Sequence, residues 1–251
     1  MNIAIMQPYL FPYIGYWQLI ANSDEFVFFD TVQYNKKSWM SRNRVLHPDN
    51  SYQFQYISVP IKKHSHGTLI KNVLINNDEA WREKLLGQLT LYKKLKAPFY
   101  DEVISLVNNI LLKDYTSFLS LSIESIKEVC NYLQLNFKYQ IASNIDISGH
   151  AIESSGDWAL AISKSLQANE YINPYSGYEI FDEIKYNNHG VGITFIKAKL
   201  TPYQQSWKKE FQAGLSIIDI LMFNDKDKVN EMLRKDFDIL SKNELVIMNE
   251  K

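Results

Sequence analysis

Residues 2–30, "NIAIMQPYLFPYIGYWQLIANSDEFVFFD", read as strand, turn, helix and strand, and that reading decides the fold. "NIAIMQ" is short, apolar and β-branched, as a buried strand is. The turn from Pro8 to Pro12 ends it, because proline fixes its backbone and lacks the amide a strand needs. "IGYWQLIANS" then makes a short helix, and "DEFVFFDTVQY" a second buried strand that finishes at Asp30. Two such strands joined through a helix point to an α/β protein with a parallel sheet.

Further along, "NKKSWMSRNRVLHPDN" reads as a polar loop, "SYQFQYISVPI" alternates as a strand does, and "KNVLIN" is a further strand candidate. From Glu79 to about Leu135 helical spacing takes over, with Trp81, Leu85, Leu89 and Tyr92 recurring in "AWREKLLGQLTLYKKL". Strand and helix then alternate again. "KYQIASNI" is a strand, "SGDWALAISKSLQA" a helix, "EYINPYSG" a strand running into a turn, "GVGITFIKAKL" a strand and "SIIDILMF" a short apolar helix. The lysine-rich residues after Asn224 read as a charged, partly frayed helix. The expected organisation is an α/β core of residues 1–78 and 136–224, a helical insertion at 79–135 and a charged C-terminal tail at 225–251.

A chain of 251 residues can bury a real core, and its formal net charge of -1 leaves no basic footprint for bulk nucleic-acid binding. Aromatic residues stand out, with 16 Tyr, 13 Phe and 5 Trp. They suit a tyrosine-rich core and surface, or a pocket that stacks on sugars or bases, and composition does not choose. The single cysteine, Cys130, excludes an internal disulfide framework and sits at helical spacing among Ile126, Val129 and Leu133, as a buried helix cysteine does. No signal peptide and no apolar stretch of about 18 residues is visible, so the chain reads as cytoplasmic and soluble, without a membrane span.

In open α/β sheets ligands sit beyond the carboxyl ends of the strands. Four polar and aromatic stretches fall at such places: Gln7 to Tyr16, Asp30 to Arg44, Asn173 to Tyr178, and Pro202 to Trp207. In the first, Gly15 permits a left-handed turn or a close backbone approach at a helix start, where amides could bind an anion. Gln7, Tyr9 and Tyr16 are polar groups that need partners a ligand could supply. In the second, Asp30 is followed by Gln33, Lys36, Lys37, Trp39, Arg42, Asn43 and Arg44. This suits a pyrophosphate or carboxylate site as well as it suits a solvated basic loop. Tyr175, Ser176 and Gly177 could hold a phosphate or ribose, although an S-G turn is common. Tyr203 and Gln204 are good partners for sugar hydroxyls because they donate and accept. Asp219, an acid in an apolar helix, is either a buried structural partner or a base of raised pKa, and the structural role is favoured.

Other chemistries lack their residues. His64 and His66 have no cysteine or carboxylate close in sequence to complete a zinc site, and no metal ligand set is assigned. The chain has no G-x-x-x-x-G-K-S/T loop, no G-x-G-x-x-G and no G-x-S-x-G elbow, against P-loop, standard dinucleotide and serine-hydrolase chemistry. "DKDKV" at Asp225 comes close to the paired acids of metal-dependent glycosyltransferases, but it falls in the expected tail.

"QPYLFPYIGYW", "SDEFVFFDTVQYNKKSWMSRNRV", "YINPYSG", "YQQ" and "LSIIDILMFN" keep the order in which similar motifs occur in the WbqC-like family of bacterial surface-polysaccharide gene clusters, which the chain resembles from about Ile3 to about Asn224. That family usually has a histidine before the Q-P pair; Met6 stands there, so no role of that histidine carries over. The resemblance implies a cytoplasmic enzyme that decorates or assembles an O-antigen or capsule sugar, and the setting suggests amide-forming transfer. The opening also resembles nucleotidylyltransferases of the HIGH type. Those carry histidines in the first turn, where this chain has Pro12 or Tyr13 and Tyr16, and neither proline nor neutral tyrosine replaces an imidazolium at a phosphate. The fold expected is therefore α/β, a Rossmann-like parallel sheet with an inserted helical lobe.

The leading expectation is a transferase that attaches an acyl or aminoacyl group to a nucleotide-linked or lipid-linked sugar. Lys36, Lys37, Arg42 and Arg44 would hold phosphates, Gln7, Tyr9, Tyr203 and Gln204 would read the sugar or acyl group, and Asp30 or Asp219 would be the general base. The rivals are a glycosyl- or nucleotidyltransferase, and a non-catalytic sugar-nucleotide-binding subunit of an assembly complex. Cofactor, sugar and oligomeric state are not specified by the sequence.

Overall fold

Both faces of the first strand, β1 (Asn2–Met6), are apolar, and this sets it at the middle of the main sheet. Ala4 packs into one core, while Ile3 and Ile5 pack into the other. The computed structural model describes residues 1–205 and 210–249. The helix α1 (Ile14–Ala21) follows, then β2 (Glu25–Phe28), where Phe26 and Phe28 face one core and Val27 the other. Alternate burial on two sides gives the unbroken apolar runs expected of a covered parallel sheet.

Later strands complete the sheet: β5 (Tyr139–Ile141), β6 (Glu170–Pro174), β7 (Gly192–Ala198) and β8 (Phe237–Leu240). The order is β5-β2-β1-β6-β7-β8; the first five are parallel, and β8 lies antiparallel to β7. The chain leaves β1 toward β2 on one side and returns, after β5, to β6 on the other. Connections from β1 and β6 therefore diverge, and a crevice opens beyond their carboxyl ends.

The other elements pack around this sheet. Helices α2 (Trp81–Lys94), α3 (Tyr100–Leu111) and α4 (Phe118–Leu133) stand in sequence between β2 and β5 and share one apolar core with α1. Cys130 is buried in α4, and burial pushes its thiol pKa up. On the opposite face, α5 (Asp157–Ser165) and α6 (Glu183–Asn188) pack with Ile3, Ile5 and Phe195. A short apolar helix, α7 (Ile217–Phe223), precedes the last strand. Among the described residues no helix is long and apolar enough to cross a membrane.

Three local expectations give way. The "NKKSWMSRNRVLHPDN" loop contains a strand, β3 (Arg42–Leu46), which pairs antiparallel with β4 (Phe54–Ser58) in a separate two-stranded sheet. Its alternate arginines disguise the pattern, because Asn43 and Val45 face the interior while Arg42 and Arg44 share the other side. "KNVLIN" is a 3-10 turn at Ile70–Asn72 followed by single bridges, Ile75 with Ile61 and Leu74 with Ser117. The segment after Asn224, expected as one charged, partly frayed helix, forms the helix α8 (Lys226–Lys235) and then edge strand β8 and a second helix, α9 (Lys242–Asn249). Val229, Met232 and Leu233 bury the apolar side of α8, a stripe hidden between lysines.

Candidate functional site

Pro8 and Pro12 bracket a loop whose shape is set by contacts from distant segments. Phe11 has φ 41°, a left-handed conformation that side chains rarely adopt. Its carbonyl accepts hydrogen bonds from Asn43 Nδ2 at 2.7 Å and from Ser216 Oγ at 2.7 Å. Asn43 Nδ2 also reaches the Leu10 carbonyl, and Trp17 Nε1 donates to the Pro12 carbonyl at 2.9 Å. The Tyr16 hydroxyl donates to the Gln7 carbonyl at 2.9 Å, and its ring is 1% exposed. Tyr16 is therefore part of the wall's support and not of its surface. Gly15 is small for a local reason, since a Cβ there would lie 2.5 Å from the Tyr13 hydroxyl. The close approach expected at Gly15 is made by Tyr13.

Two cavities adjoin at the carboxyl ends of β1 and β6, sharing Met6, Pro174 and Ser176. The inner one, about 270 Å³, is walled by Phe29, Trp158, Tyr171 and Phe181, with Gln7, Asn173, Ser155 and Gly177 also on its lining. Phe29 and Trp158 pack with ring centroids 6.1 Å apart. Tyr171 donates to Asn173 Oδ1 at 2.7 Å, and Asn173 Nδ2 donates to the Pro174 carbonyl at 2.8 Å. That same Nδ2 lies 2.7 Å from where a Cβ on Gly177 would stand, so only glycine lets the amide occupy this position. Tyr175 is exposed at the rim, with Lys197 Nζ 5.3 Å from the centre of its ring.

The outer cavity, about 350 Å³, is lined by Tyr9, Tyr13, Trp39, Asn43, Arg44 and Gly214 besides the shared residues. The Arg44 guanidinium lies between two rings, 4.3 Å from the Trp39 centroid and 4.2 Å from that of Phe54. Arg42, two residues along the same face of β3, lies 5.0 Å over Tyr56 and 5.7 Å over Trp39. Arg42 donates to the Lys37 carbonyl at 2.7 Å. The buried Nε of each arginine has no acceptor, and among the described residues no carboxylate pairs with either. Burial raises the Tyr9 and Tyr13 phenols above their ordinary value, so at neutral pH they offer hydroxyls and not phenolates.

Of the residues expected in one site, Gln7, Tyr9, Trp39, Asn43, Arg44, Ser176 and Gly177 line these two cavities. Gln33, Lys36 and Lys37 are exposed and line neither. Asp30 is fully buried, and its two oxygens accept from the Ser143 amide at 2.9 Å and the Ser143 hydroxyl at 2.7 Å. It ties the end of β2 to the turn after β5, which leaves no lone oxygen aimed at the cleft. Asp219 is also fully buried, on α7, and accepts from Tyr92 at 2.6 Å, Tyr203 at 2.5 Å and Gln205 at 2.8 Å. Burial raises its pKa from 3.8 to about 6 against the opposing effect of these neutral donors. Tyr203 is thus held inside the fold, while Gln204 is exposed and Gln205 takes the buried place. Trp207, the last residue of that stretch, lies outside the described residues.

Of the D-x-D spacings, Asp225 to Asp227 and Asp236 to Asp238, Asp225 caps α8 by accepting from the Lys228 amide, and Asp238, within β8, pairs with Lys199 at 2.5 Å.

Sequence reasoning passed over Tyr13, Phe29, Phe54, Ser155 and Trp158. For Ser155 and Trp158 a signal was present: the helix that follows a strand begins at the carboxyl edge of the sheet, so the first residues of "SSGDWAL" face the crevice. Phe54 had none, because its role depends on the register Leu46 opposite Phe54 in the hairpin.

No solved structure matches the chain. An uncharacterized protein of Mycobacterium tuberculosis, Rv1507c, is 26% identical over 235 residues, covering 93% of this chain and 97% of the relative. The model of the WbqC-like protein family matches residues 7–231. That span takes in both sides of the cleft, from Gln7 through Arg44 to Gly214, and the chain belongs to the WbqC-like protein family.

Proposed function

We propose that this protein is a transferase of bacterial surface-polysaccharide assembly that attaches an acyl or aminoacyl group to a sugar carried on a phosphate. Membership of the WbqC-like family, which the sequence motifs associate with surface-polysaccharide gene clusters by resemblance, supports this setting. The parallel order β5-β2-β1-β6-β7 supports a Rossmann-like reading of the sheet, with the carrier lying across its switch point. The observation that carries the proposal is Arg44, a half-buried cation held between Trp39 and Phe54, facing a cavity, with no carboxylate partner among the described residues. Stacking fixes the plane of the guanidinium and leaves its edge for a phosphate, which it can meet with two parallel hydrogen bonds.

In the transfer, a sugar amine attacks the acyl carbonyl, the new C–N bond replaces the bond to the acyl carrier, and the carrier leaves with that electron pair. The amine proton ends on the departing carrier. Tyr9, Tyr13 and Ser176 supply hydroxyls to the sugar or to the developing oxyanion. Asp30 and Asp219 take no part, each being engaged within the fold.

A second reading, a sugar-nucleotide-binding subunit without turnover, is favoured by one feature: among the described residues, no carboxylate, histidine or lysine lines the two cavities. One experiment addresses both. The purified protein is incubated with nucleotide-linked amino sugars and acyl thioesters, and products are read by mass spectrometry alongside calorimetric binding. Arg44→Ala should weaken carrier binding at least tenfold, and Arg44→Lys should not restore it, because an ammonium neither stacks nor forks. Unchanged binding in a folded Arg44→Ala protein rejects the assignment, and binding without an acylated product selects the second reading.

A further inference from the structure

The inner cavity has a different chemistry from the outer one, and it distinguishes a nucleotide carrier from a lipid carrier. It is walled by aromatic rings, yet two carboxamides stand on its lining, Gln7 at the end of β1 and Asn173 near the end of β6. A lipid chain has no use for carboxamides, and burying them beside it without partners would oppose binding. A volume of about 270 Å³ exceeds the roughly 150 Å³ that suffices for a benzene ring, so a six-membered heterocycle with part of its ribose fits.

The two amides are not equivalent. Asn173 is committed: its Oδ1 accepts from Tyr171 and one N–H goes to the Pro174 carbonyl, leaving a single N–H to offer. Among the described residues nothing bonds the Gln7 carboxamide, which keeps both a carbonyl and an NH₂ for a ligand. Together they offer one donor from Asn173 and, from Gln7, both an acceptor and donors. The hydrogen-bonding edge of a pyrimidine suits such a set: uracil carries carbonyl, N–H and carbonyl, cytosine carries carbonyl, ring nitrogen and NH₂, and the unbonded Gln7 carboxamide can turn to meet either.

We propose that the inner cavity is a base subsite for a pyrimidine, read by Gln7 and Asn173 and stacked on Trp158, so that the carried sugar is linked to a pyrimidine nucleoside diphosphate. The proposal rests on the phosphate reading of Arg44 in the adjoining cavity, which shares Met6, Pro174 and Ser176 with this one.

Isothermal titration of the full chain with uridine 5′-diphosphate, cytidine 5′-diphosphate, adenosine 5′-diphosphate and inorganic pyrophosphate tests it. Uridine diphosphate is expected to bind at least tenfold more tightly than adenosine diphosphate and pyrophosphate, with cytidine diphosphate close to it. Gln7→Ala should lower its affinity about tenfold and leave pyrophosphate binding unchanged, with folding checked by the thermal midpoint. Trp158→Ala, a change on a half-buried ring, should do the same and guards against a Gln7 variant that fails to fold. Pyrophosphate binding as tightly as uridine diphosphate overturns the base subsite while sparing the phosphate site, and points to a lipid carrier. Equal binding of the three nucleotides overturns the choice of base. Absence of binding by all four overturns both the subsite and the function on which it rests.

Discussion

A single side chain, Asn43, joins two stretches that lie more than thirty residues apart in the sequence. Its amide nitrogen bonds the Leu10 and Phe11 carbonyls, and its Oδ1 accepts from the Arg44 amide at 2.8 Å. One residue therefore fixes the left-handed Phe11 and orients the strand that presents Arg44. Asn43→Ala would leave buried carbonyls short of a donor, a loss of about 1–3 kcal/mol in urea unfolding. It should also weaken carrier binding, because the Arg44 side of the cavity loses its tie to the Tyr9 side. A stability change below about 0.5 kcal/mol would show that Ser216 alone holds the loop. The sequence marked Asn43 as a member of a basic loop, and only the alternation of β3 reveals that it points inward while its arginine neighbours do not.

Among the elements, α8 and β8 depart furthest from their appearance in the sequence. Charged residues dominate "DKDKVNEMLRKDFD", yet Val229, Met232 and Leu233 fall on one side of the helix and are buried. Gln18, fully buried on α1, donates to the Met232 carbonyl at 3.1 Å and the Asp236 carbonyl at 2.7 Å, so the end of the chain is wired to its beginning. Burial of the three apolar side chains contributes roughly 5–9 kcal/mol, comparable with the entire stability of an ordinary domain. Deleting residues 225–251 should abolish cooperative thermal unfolding and expose dye-binding surface. A truncated protein that retains a sharp transition would show that α8 and β8 are accessory. Helical spacing was visible in this stretch, but its length and charge made a solvated helix the natural reading, and nothing local announces a strand that needs β7 as its partner.

Across the whole molecule, Asp219 gathers three segments: Tyr92 from α2, Tyr203 and Gln205 from the connection after β7, and its own helix α7. The Leu46 amide reaches Tyr92 as well, which extends the network to the hairpin that carries Arg44. Because burial raises the Asp219 pKa from 3.8 to about 6, the folded state holds its proton more tightly than the unfolded chain does. The stabilisation that follows is fully present below about pH 4 and is lost as pH rises through about 6. Measured against Asp219→Asn, which does not titrate, the wild-type protein should lose on the order of 3 kcal/mol of relative stability between pH 4 and pH 7. A stability difference that stays level over that range would mean the three donors fully offset the cost of burying the charge.

The amino-acid sequence by itself determined the run of strand, helix and strand in residues 2–30 and the two strands within 170–198, though not the helix α6 between them, because apolar periodicity and proline are local properties of the chain. It also placed Gln7 and Ser176 just beyond strands β1 and β6, where a parallel sheet opens to ligands, whereas Arg44 reaches the cavity from the separate β3–β4 hairpin. The tertiary structure decided which polar residues face the cleft and which serve the fold. Asp30 and Arg44 look equally functional in sequence; they part only because Ser143 closes over the first, while Trp39 and Phe54 hold the second open toward a cavity. The physical reason is that a polar side chain's role depends on the partners that reach it, and those partners come from segments distant in sequence.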